Sequence, residues 1–408
     1  MSDESIARHR GDAEARRRGD AAARHRGDAE ARHRVLQVFG YLVLTLSVVV
    51  GLFAVYSYRH FNENLTILDV TAQLGADRPA KEEVQGPREP INVLVMGSDS
   101  RDGEGNNIDG LRGGGQRSDT TLLFHLSADR QNAYGVSLPR DAMVERPTCY
   151  TKDKKEIAGG FDMWNAAFSV GGPACTIRQF EQLTKVKIDH FVVLDFNGFK
   201  DMVDAIDGVK VCIPEDVDDS IGNIHLKAGT REVRGQEALN YVRVRHAISN
   251  NGDIGRMKRQ QAFIAAMANK VKSAGTLARP DRAFGFANAA TKSLTLDPGL
   301  SSVKRIADLA GQFQDIGLSK VKFITVPFAS YEPDPNRLVW TEDAKLLWKK
   351  IRFDEPLSKR LSSDVITAAE KPGSKGSPSD PSSPSADPST GTPTEVDAEK
   401  AAANGLCA

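Results

Sequence analysis

The chain has 408 residues, and its 54 Lys and Arg are balanced by 54 Asp and Glu, so the formal net charge is zero. That balance argues against a strongly basic nucleic-acid binder, and the length suits two or three domains. The four cysteines, Cys149, Cys175, Cys212 and Cys407, lack the Cys-x-x-Cys spacing of a structural zinc site.

In chain order, residues 1–34 come first. Arg10-Gly11-Asp12, Arg18-Gly19-Asp20 and Arg26-Gly27-Asp28 recur there every eight residues. That period fits no solenoid, and the repeat reads as a solvated cytoplasmic tail rather than an adhesion ligand. Residues 35–58 contain no charged side chain. Such a run is long enough for one transmembrane helix, which needs about 20 residues. Arg16, Arg17, Arg18, Arg24, Arg26, Arg32 and Arg34 precede it, while only Arg59 stands close behind, with Tyr56 and Tyr58 as interface anchors. The positive-inside rule predicts a single-pass protein in the membrane lipid bilayer, N-terminus cytoplasmic and the remainder extracellular. A cleaved signal peptide is disfavoured by the length of the apolar run. Residues 59–90 read as an extracellular stalk.

Residues 91–352 read as a single globular domain, which is enough chain to bury a full core. Strands are predicted at 91–96, 120–126, 132–138, 189–195, 209–213 and 321–327. Helices are predicted at 165–185, 196–206, 235–243, 253–273, 301–314 and 341–351. Interleaved strands and helices predict an α/β fold, a central mixed β-sheet flanked by helices on both faces (an α-β-α sandwich). Residues 353–408 read as a Pro/Ser-rich disordered tail, with six prolines between 371 and 396. Outside a cell disulfides are permitted, and Cys149–Cys175 is the expected pair. Closing that loop contributes roughly 3 kcal/mol. Cys212, in an apolar strand, is either a core residue or the partner of Cys407, which requires the tail to fold back.

Four charged clusters carry the chemistry. The first is Asp99 and Arg101 with Arg117 and Asp119, at the ends of two predicted strands. The second is Pro139-Arg140-Asp141. The third is Arg243-Val244-Arg245-His246, whose two arginines point to one side if the backbone is extended. The fourth opens a helix, where Asp253, Arg256 and Gln260 share one stripe. Asp99 and Asp119, with no Cys or His beside them, suit a hard cation such as Mg²⁺. Arginines offer planar forks to phosphate oxygens. The glycine-rich stretch 102–116 fits neither an EF-hand nor a P-loop and reads as a lid. Among the histidines, His125 and His190 read as structural, and His246 is the one to watch. The aromatic set that includes Phe168, Phe196 and Phe263 is either ordinary core or a lipid tunnel.

These blocks resemble the LytR-CpsA-Psr family of bacterial wall enzymes, actinobacterial type. The resemblance rests on Val95-Met96-Gly97-Ser98-Asp99-Ser100-Arg101, Arg117-Ser118-Asp119-Thr120 and Val136-Ser137-Leu138-Pro139-Arg140-Asp141. It continues through Ile188-Asp189-His190-Phe191, Gln236-Glu237-Ala238-Leu239, Arg243-Val244-Arg245 and Asp253-x-x-Arg256-x-x-Arg259-Gln260-Gln261. It implies a phosphotransferase that moves a glycopolymer from a polyprenyl-pyrophosphate carrier onto peptidoglycan with Mg²⁺. Asp99 and Asp119 would bind the metal, with Arg117 and Arg140 completing the catalytic set. Arg101, Arg243, Arg245, Asp253, Arg256 and Gln260 would hold the pyrophosphate, and Phe168, Phe196 and Phe263 the lipid. A lipid-pyrophosphate hydrolase and a non-catalytic wall-binding or regulatory protein are the alternatives.

Overall fold

The computed structural model describes residues 36–98, 118–151, 153–248, 252–273, 279–314, 316–362, 365–369, 399 and 401–407. The chain divides into two units, one up to His60 and one from Phe61 onward. Helix α1 (Leu36–Asn64), whose 29 residues are long and apolar enough to cross a membrane, begins in the first unit and ends just inside the second. Its large apolar side chains from Leu36 to Tyr58 are exposed. The Arg-Gly-Asp repeat lies outside the described residues.

The second unit is built on an eight-stranded mixed sheet. Its strands are β1 (Thr66–Ile67), β2 (Ile91–Ser98), β3 (Ser118–Leu126), β4 (Ala133–Leu138) and β5 (His190–Leu194). After two strands of a separate hairpin, β6 (Val209–Ile213) and β7 (Gly229–Val233), come β8 (Leu294–Leu296), β9 (Val321–Thr325) and β10 (Ile366–Thr367). The order across the sheet is β1-β8-β5-β2-β3-β4-β9-β10. The β2-β3-β4 centre is antiparallel, while β5 and β9 run parallel to the strands they flank.

Successive side chains of β3 enter opposite layers, as the two-residue period requires. Leu123 joins Trp164, Phe168, Phe180 and Trp348 in the larger core. These residues come from helix α2 (Ala166–Thr184), from α6 (Glu342–Arg352) and from the turn before α2. Leu122 turns the other way and packs with Phe323 and Ala265. Ala265 belongs to α5 (Gly252–Ser273), so helices cover both faces of the sheet. A second core joins α3 (Phe196–Ala205), the β6–β7 hairpin, α4 (Gly235–Arg243) and α5. Gln261, fully buried on α5, donates to Ser137 Oγ at 2.8 Å and Thr325 Oγ1 at 3.0 Å. One amide thus ties the helix to β4 and β9 together.

Helix α2 is not continuous. Gly171 and Gly172 leave the helical region, and Pro173 restarts it. Gly172 has φ +61°, which only glycine adopts without cost. A Cβ on Gly171 would lie 2.8 Å from Cys175 Cβ, so the break brings Cys175 onto Cys149. The predicted Cys149–Cys175 disulfide is present. Cys212–Cys407 is bridged as well, across 195 residues of sequence.

Two boundaries differ from those expected. The 59–90 segment is not a free stalk, because β1 pairs with β8 and Arg78 clamps Glu181 at 2.6 Å. Glu181 is a buried carboxylate, and a buried charge requires a partner. Nor is all of 353–408 a loose tail. β10 extends the sheet, Asp354 accepts from the Ala128 amide at 2.8 Å, and Cys407 is tied to β6. The six prolines between 371 and 396 lie outside the described residues.

Gly135 of β4 sits opposite Phe124 on one side and Phe323 on the other, and the two rings cross edge-to-face at 6.0 Å. A Cβ there would lie 2.5 Å from the buried Phe323 ring. Gly135→Ala is therefore expected to lower unfolding free energy by about 1–3 kcal/mol in urea titrations. Adding Phe323→Leu should recover part of the loss. Equal stability of Gly135→Ala and the wild type would contradict this packing.

Candidate active site

The sheet topology gathers the charges. β2 and β3 are antiparallel and Ser98 pairs with Ser118, so the end of β2 and the start of β3 share one sheet edge. β4 runs antiparallel to β3 and ends at the same edge, where Pro139-Arg140-Asp141 turns away. α5 crosses behind β4 and β9, held there by Gln261. Its first turn carries Asp253.

Arg140 is the centre. Its Nη1 donates to Asp119 Oδ1 at 2.7 Å, and its Nε lies 3.2 Å from Asp253 Oδ1 and 3.3 Å from Asp141 Oδ2. Arg256 Nη2 lies 2.8 Å from Asp253 Oδ1 and donates to the Asp119 carbonyl at 3.3 Å. Arg245 reaches Asp119 Oδ2 at 3.5 Å and Asp253 Oδ1 at 3.7 Å. The structure thus brings Asp119, Arg140, Arg245, Asp253 and Arg256 together. Asp99, Arg101 and Arg117 lie outside the described residues, as does the glycine-rich stretch between them.

The remaining predicted residues stand apart in different ways. Helix α4 continues through Arg243, so Arg243 and Arg245 do not share an extended strand. Arg243 instead places its guanidinium carbon 4.8 Å from the Phe196 ring centroid, a cation–π contact. Gln260 donates to the Val242 carbonyl at 3.0 Å and so fastens α5 to the end of α4. The three phenylalanines do not form one wall. Phe168 belongs to the larger core, while Phe263 is buried in the second core between Phe199 and Tyr241. Both are ordinary core residues, since an apolar side chain gains most by full burial. Phe196 alone is partly buried and borders an arginine.

Sequence reading missed Arg337. Its Nη1 approaches Asp141 Oδ1 at 3.7 Å from a strand outside the main sheet. No spacing signal marks it, because the Ala142–Leu338 bridge that brings it near joins distant segments. His246 was singled out, and it faces buried Asp219 at 3.4 Å. His125, read as structural, is buried between Asn92 and Asp354. His190 contacts Asp297.

The electrostatics follow from this crowding. Burial pushes the Asp119 carboxyl up, but Arg256, Arg140 and Arg245 together outweigh it and hold the group below the usual carboxylate range. Arg245 is lowered to about 10 by burial and by repulsion from Arg256 and Arg140. Burial works against the Arg140 charge, yet Asp253, Asp119 and Asp141 raise its pKa overall. Two buried atoms, Asp253 Oδ1 and Arg256 Nε, lack an aligned hydrogen-bond partner. Such atoms are costly unless something satisfies them.

Among the described residues no group of three His, Cys, Asp or Glu could hold a metal. Mg²⁺ does not need such a cage, because it is bound through one or two carboxylates, substrate phosphates and waters. Asp119 fits that role. Among the described residues its Oδ1 is taken by Arg140, whereas Oδ2 has the longer 3.5 Å contact. The donor set is oxygen alone, which suits a hard ion.

Because three carboxylates share Arg140, its loss leaves them facing one another. Arg140→Met is expected to destabilise the fold by about 2–4 kcal/mol in urea titrations, the cost of an uncompensated, largely buried charge. Adding Asp253→Asn should restore part of that loss. Strictly additive effects in this double-mutant cycle would refute the shared-arginine arrangement.

Comparison with known proteins gives this geometry a context. The chain is 33% identical over 267 residues to Corynebacterium glutamicum LcpB, a "Probable cell wall biosynthesis protein", covering 64% of this chain and 61% of that one. It is 30% identical over 244 residues to Bacillus subtilis TagV, a "Polyisoprenyl-teichoic acid--peptidoglycan teichoic acid transferase", covering 59% of this chain and 58% of the relative. The matches thus span about three fifths of these relatives. Among solved structures, "TagT bound to LI-WTA" superposes with a TM-score of 0.51 at 24% identity, covering 70% of this chain and 98% of that chain. A Streptococcus agalactiae protein gives 0.52 at 22% identity, covering 66% and 90%. Both show the shared fold. The LytR_cpsA_psr family profile matches residues 57–349, and the chain is a member of that family.

Proposed function

We propose that this domain transfers a glycopolymer from a polyprenyl-pyrophosphate carrier to a hydroxyl of peptidoglycan, on the outer side of the membrane. The observation that carries the reading is the Arg140–Arg245–Arg256 cluster around Asp119 and Asp253. Three guanidiniums at one sheet edge, one of them with a buried Nε lacking a partner, suit phosphate oxygens. The relative TagV carries the corresponding transfer in its name. Both cysteine pairs are bridged, which agrees with an oxidising compartment outside the membrane. The arginine-rich flank before α1 favours the same orientation.

In this reading the acceptor hydroxyl attacks the phosphorus next to the sugar. The bond from that phosphorus to the bridging oxygen breaks, and polyprenyl phosphate departs, taking up the proton that the hydroxyl gives up. Arg140, Arg245 and Arg256 bind and orient the two phosphates and offset the charge that builds on the leaving group. Transfer of this kind depends mainly on positioning and charge neutralisation. Within the cluster Asp119, Asp141 and Asp253 already offset most of the charge of Arg140, Arg245, Arg256 and the neighbouring Arg337, so an incoming pyrophosphate needs additional positive charge. Mg²⁺, held by Asp119 and, from the sequence, Asp99, would supply it as a Lewis acid at the phosphoryl oxygens. Of the predicted lipid residues, the reading assigns the first carbons of the tail to Phe196, which is partly buried beside Arg243.

The test uses the full chain in detergent, a lipid-pyrophosphoryl glycan and a peptidoglycan acceptor. Arg140→Ala and Arg256→Ala should each lower transfer by about 10²-fold or more, as expected when a charge-stabilising donor is lost. Phosphate release without acceptor modification would make the protein a hydrolase. No transfer by the wild-type chain would favour a binding protein, and undiminished transfer in both variants would remove the arginine cluster from the reading. Chelation should abolish transfer and added Mg²⁺ restore it; activity that survives chelation would remove the metal from the reading.

A further inference from the structure

We infer that residues 401–407 form a strap, locked by the Cys212–Cys407 bridge, that positions Arg245 through the buried side chain of Arg259. This rests on the proposed pyrophosphate site and concerns what holds one of its arginines in place.

Arg259 lies one turn beyond Arg256 on α5 and is fully buried. Its fork donates to two backbone carbonyls. One is Val244 O, between Arg243 and Arg245; the other is Asn404 O, at 2.9 Å. One guanidinium therefore bridges the Arg245 loop and the C-terminal segment. Burial lowers the Arg259 pKa to about 10, so its charge is held at a cost. Losing the Asn404 carbonyl would take an acceptor away from a buried charge, which is expensive.

The segment is seated tightly. Gly405 has φ +66°, and a Cβ there would lie 2.6 Å from the Ile248 carbonyl and 2.9 Å from Arg259 Nη1. The strap thus meets the described part of the loop at two points, Val244 through Arg259 and Ile248 beside Gly405. Two residues on, Cys407 is bonded to Cys212 of β6. Cys212 pairs with Thr230 of β7, so the anchor is a strand of the hairpin and not a loop. The loop between α4 and α5 is consequently held between the strap and the helix that carries Asp253 and Arg256. Arg245 makes only the long contacts of 3.5 and 3.7 Å within the cluster, so its backbone support matters more than theirs.

The test uses the full chain in detergent with two variants, Gly405→Val and Cys212→Ser/Cys407→Ser. Hydrogen exchange at residues 244–248 should rise by about tenfold or more, with little change elsewhere in the domain. Affinity for inorganic pyrophosphate should fall by about tenfold, and the strap changes should have almost no further effect in an Arg245→Ala background, as two changes acting on one contact do not add. Unchanged exchange at 244–248, or full additivity with Arg245→Ala, would overturn the inference. If the wild-type chain binds no pyrophosphate, the proposed site falls. The exchange result then decides the strap alone: a rise confined to 244–248 supports it, and no rise ends it.

Discussion

One guanidinium shared by three carboxylates is the constraint on which the site depends. Asp119 opens a strand, Asp141 follows another, and Asp253 opens a helix on the far layer. Arg140 touches all three. Without a cation between them, three partly desolvated carboxylates would repel and draw water into the sheet edge. With it, a helix from one layer is fastened to two strand ends. A lysine would not serve, because a single ammonium lacks the planar fork that meets several partners from fixed directions. Arg245 and Arg256 repeat the pattern from the other side. The result is a cluster whose cations are held ready by internal anions.

That cluster would not assemble without the layers beneath it. Leu122 and Leu123 drive β3 into two opposite cores, which fixes the strand's register. A slip of one residue would turn Asp119 away from the edge. Gln261 performs the matching task for the helix, since its amide spans β4 and β9 only at one rotation of α5. That same rotation aims Asp253 and Arg256 at the cluster. Core packing and site geometry are therefore one problem solved by the same elements.

The long strands and helices of this domain were legible because each carries its own apolar period. The charged clusters were legible because Asp119, Arg140 and Asp253 stand where apolar runs begin or end. What escaped depends on contacts between distant segments. β1, β8 and β10 have two or three residues each, too few for a period, and exist only because the sheet offers an edge. Arg337 reaches Asp141 through a pairing that no local signal encodes. Phe168 and Phe263 look alike in sequence, yet opposite cores claim them. Arg243 and Arg245 alternate in sequence, but a helix ends between them. The Cys212–Cys407 pair could be stated only as an alternative, because it depends on a tail whose composition argues against folding.

The two disulfides consequently do different work. Cys149–Cys175 closes 26 residues around a broken helix and acts mainly on the unfolded chain, a restraint of about 3 kcal/mol by loop entropy. For Cys212–Cys407 the formal loop is 195 residues, and the same relation gives only about 2 kcal/mol more, because loop entropy grows as a logarithm. That figure refers to global unfolding. With the domain already folded, the bridge restrains only the stretch between β10 and Cys407, so its effect is concentrated on one event, the seating of residues 401–407 against Arg259. By the same relation this bridge is worth about 5 kcal/mol against global unfolding, and in the folded domain it also acts locally, where a buried guanidinium meets the loop that presents Arg245.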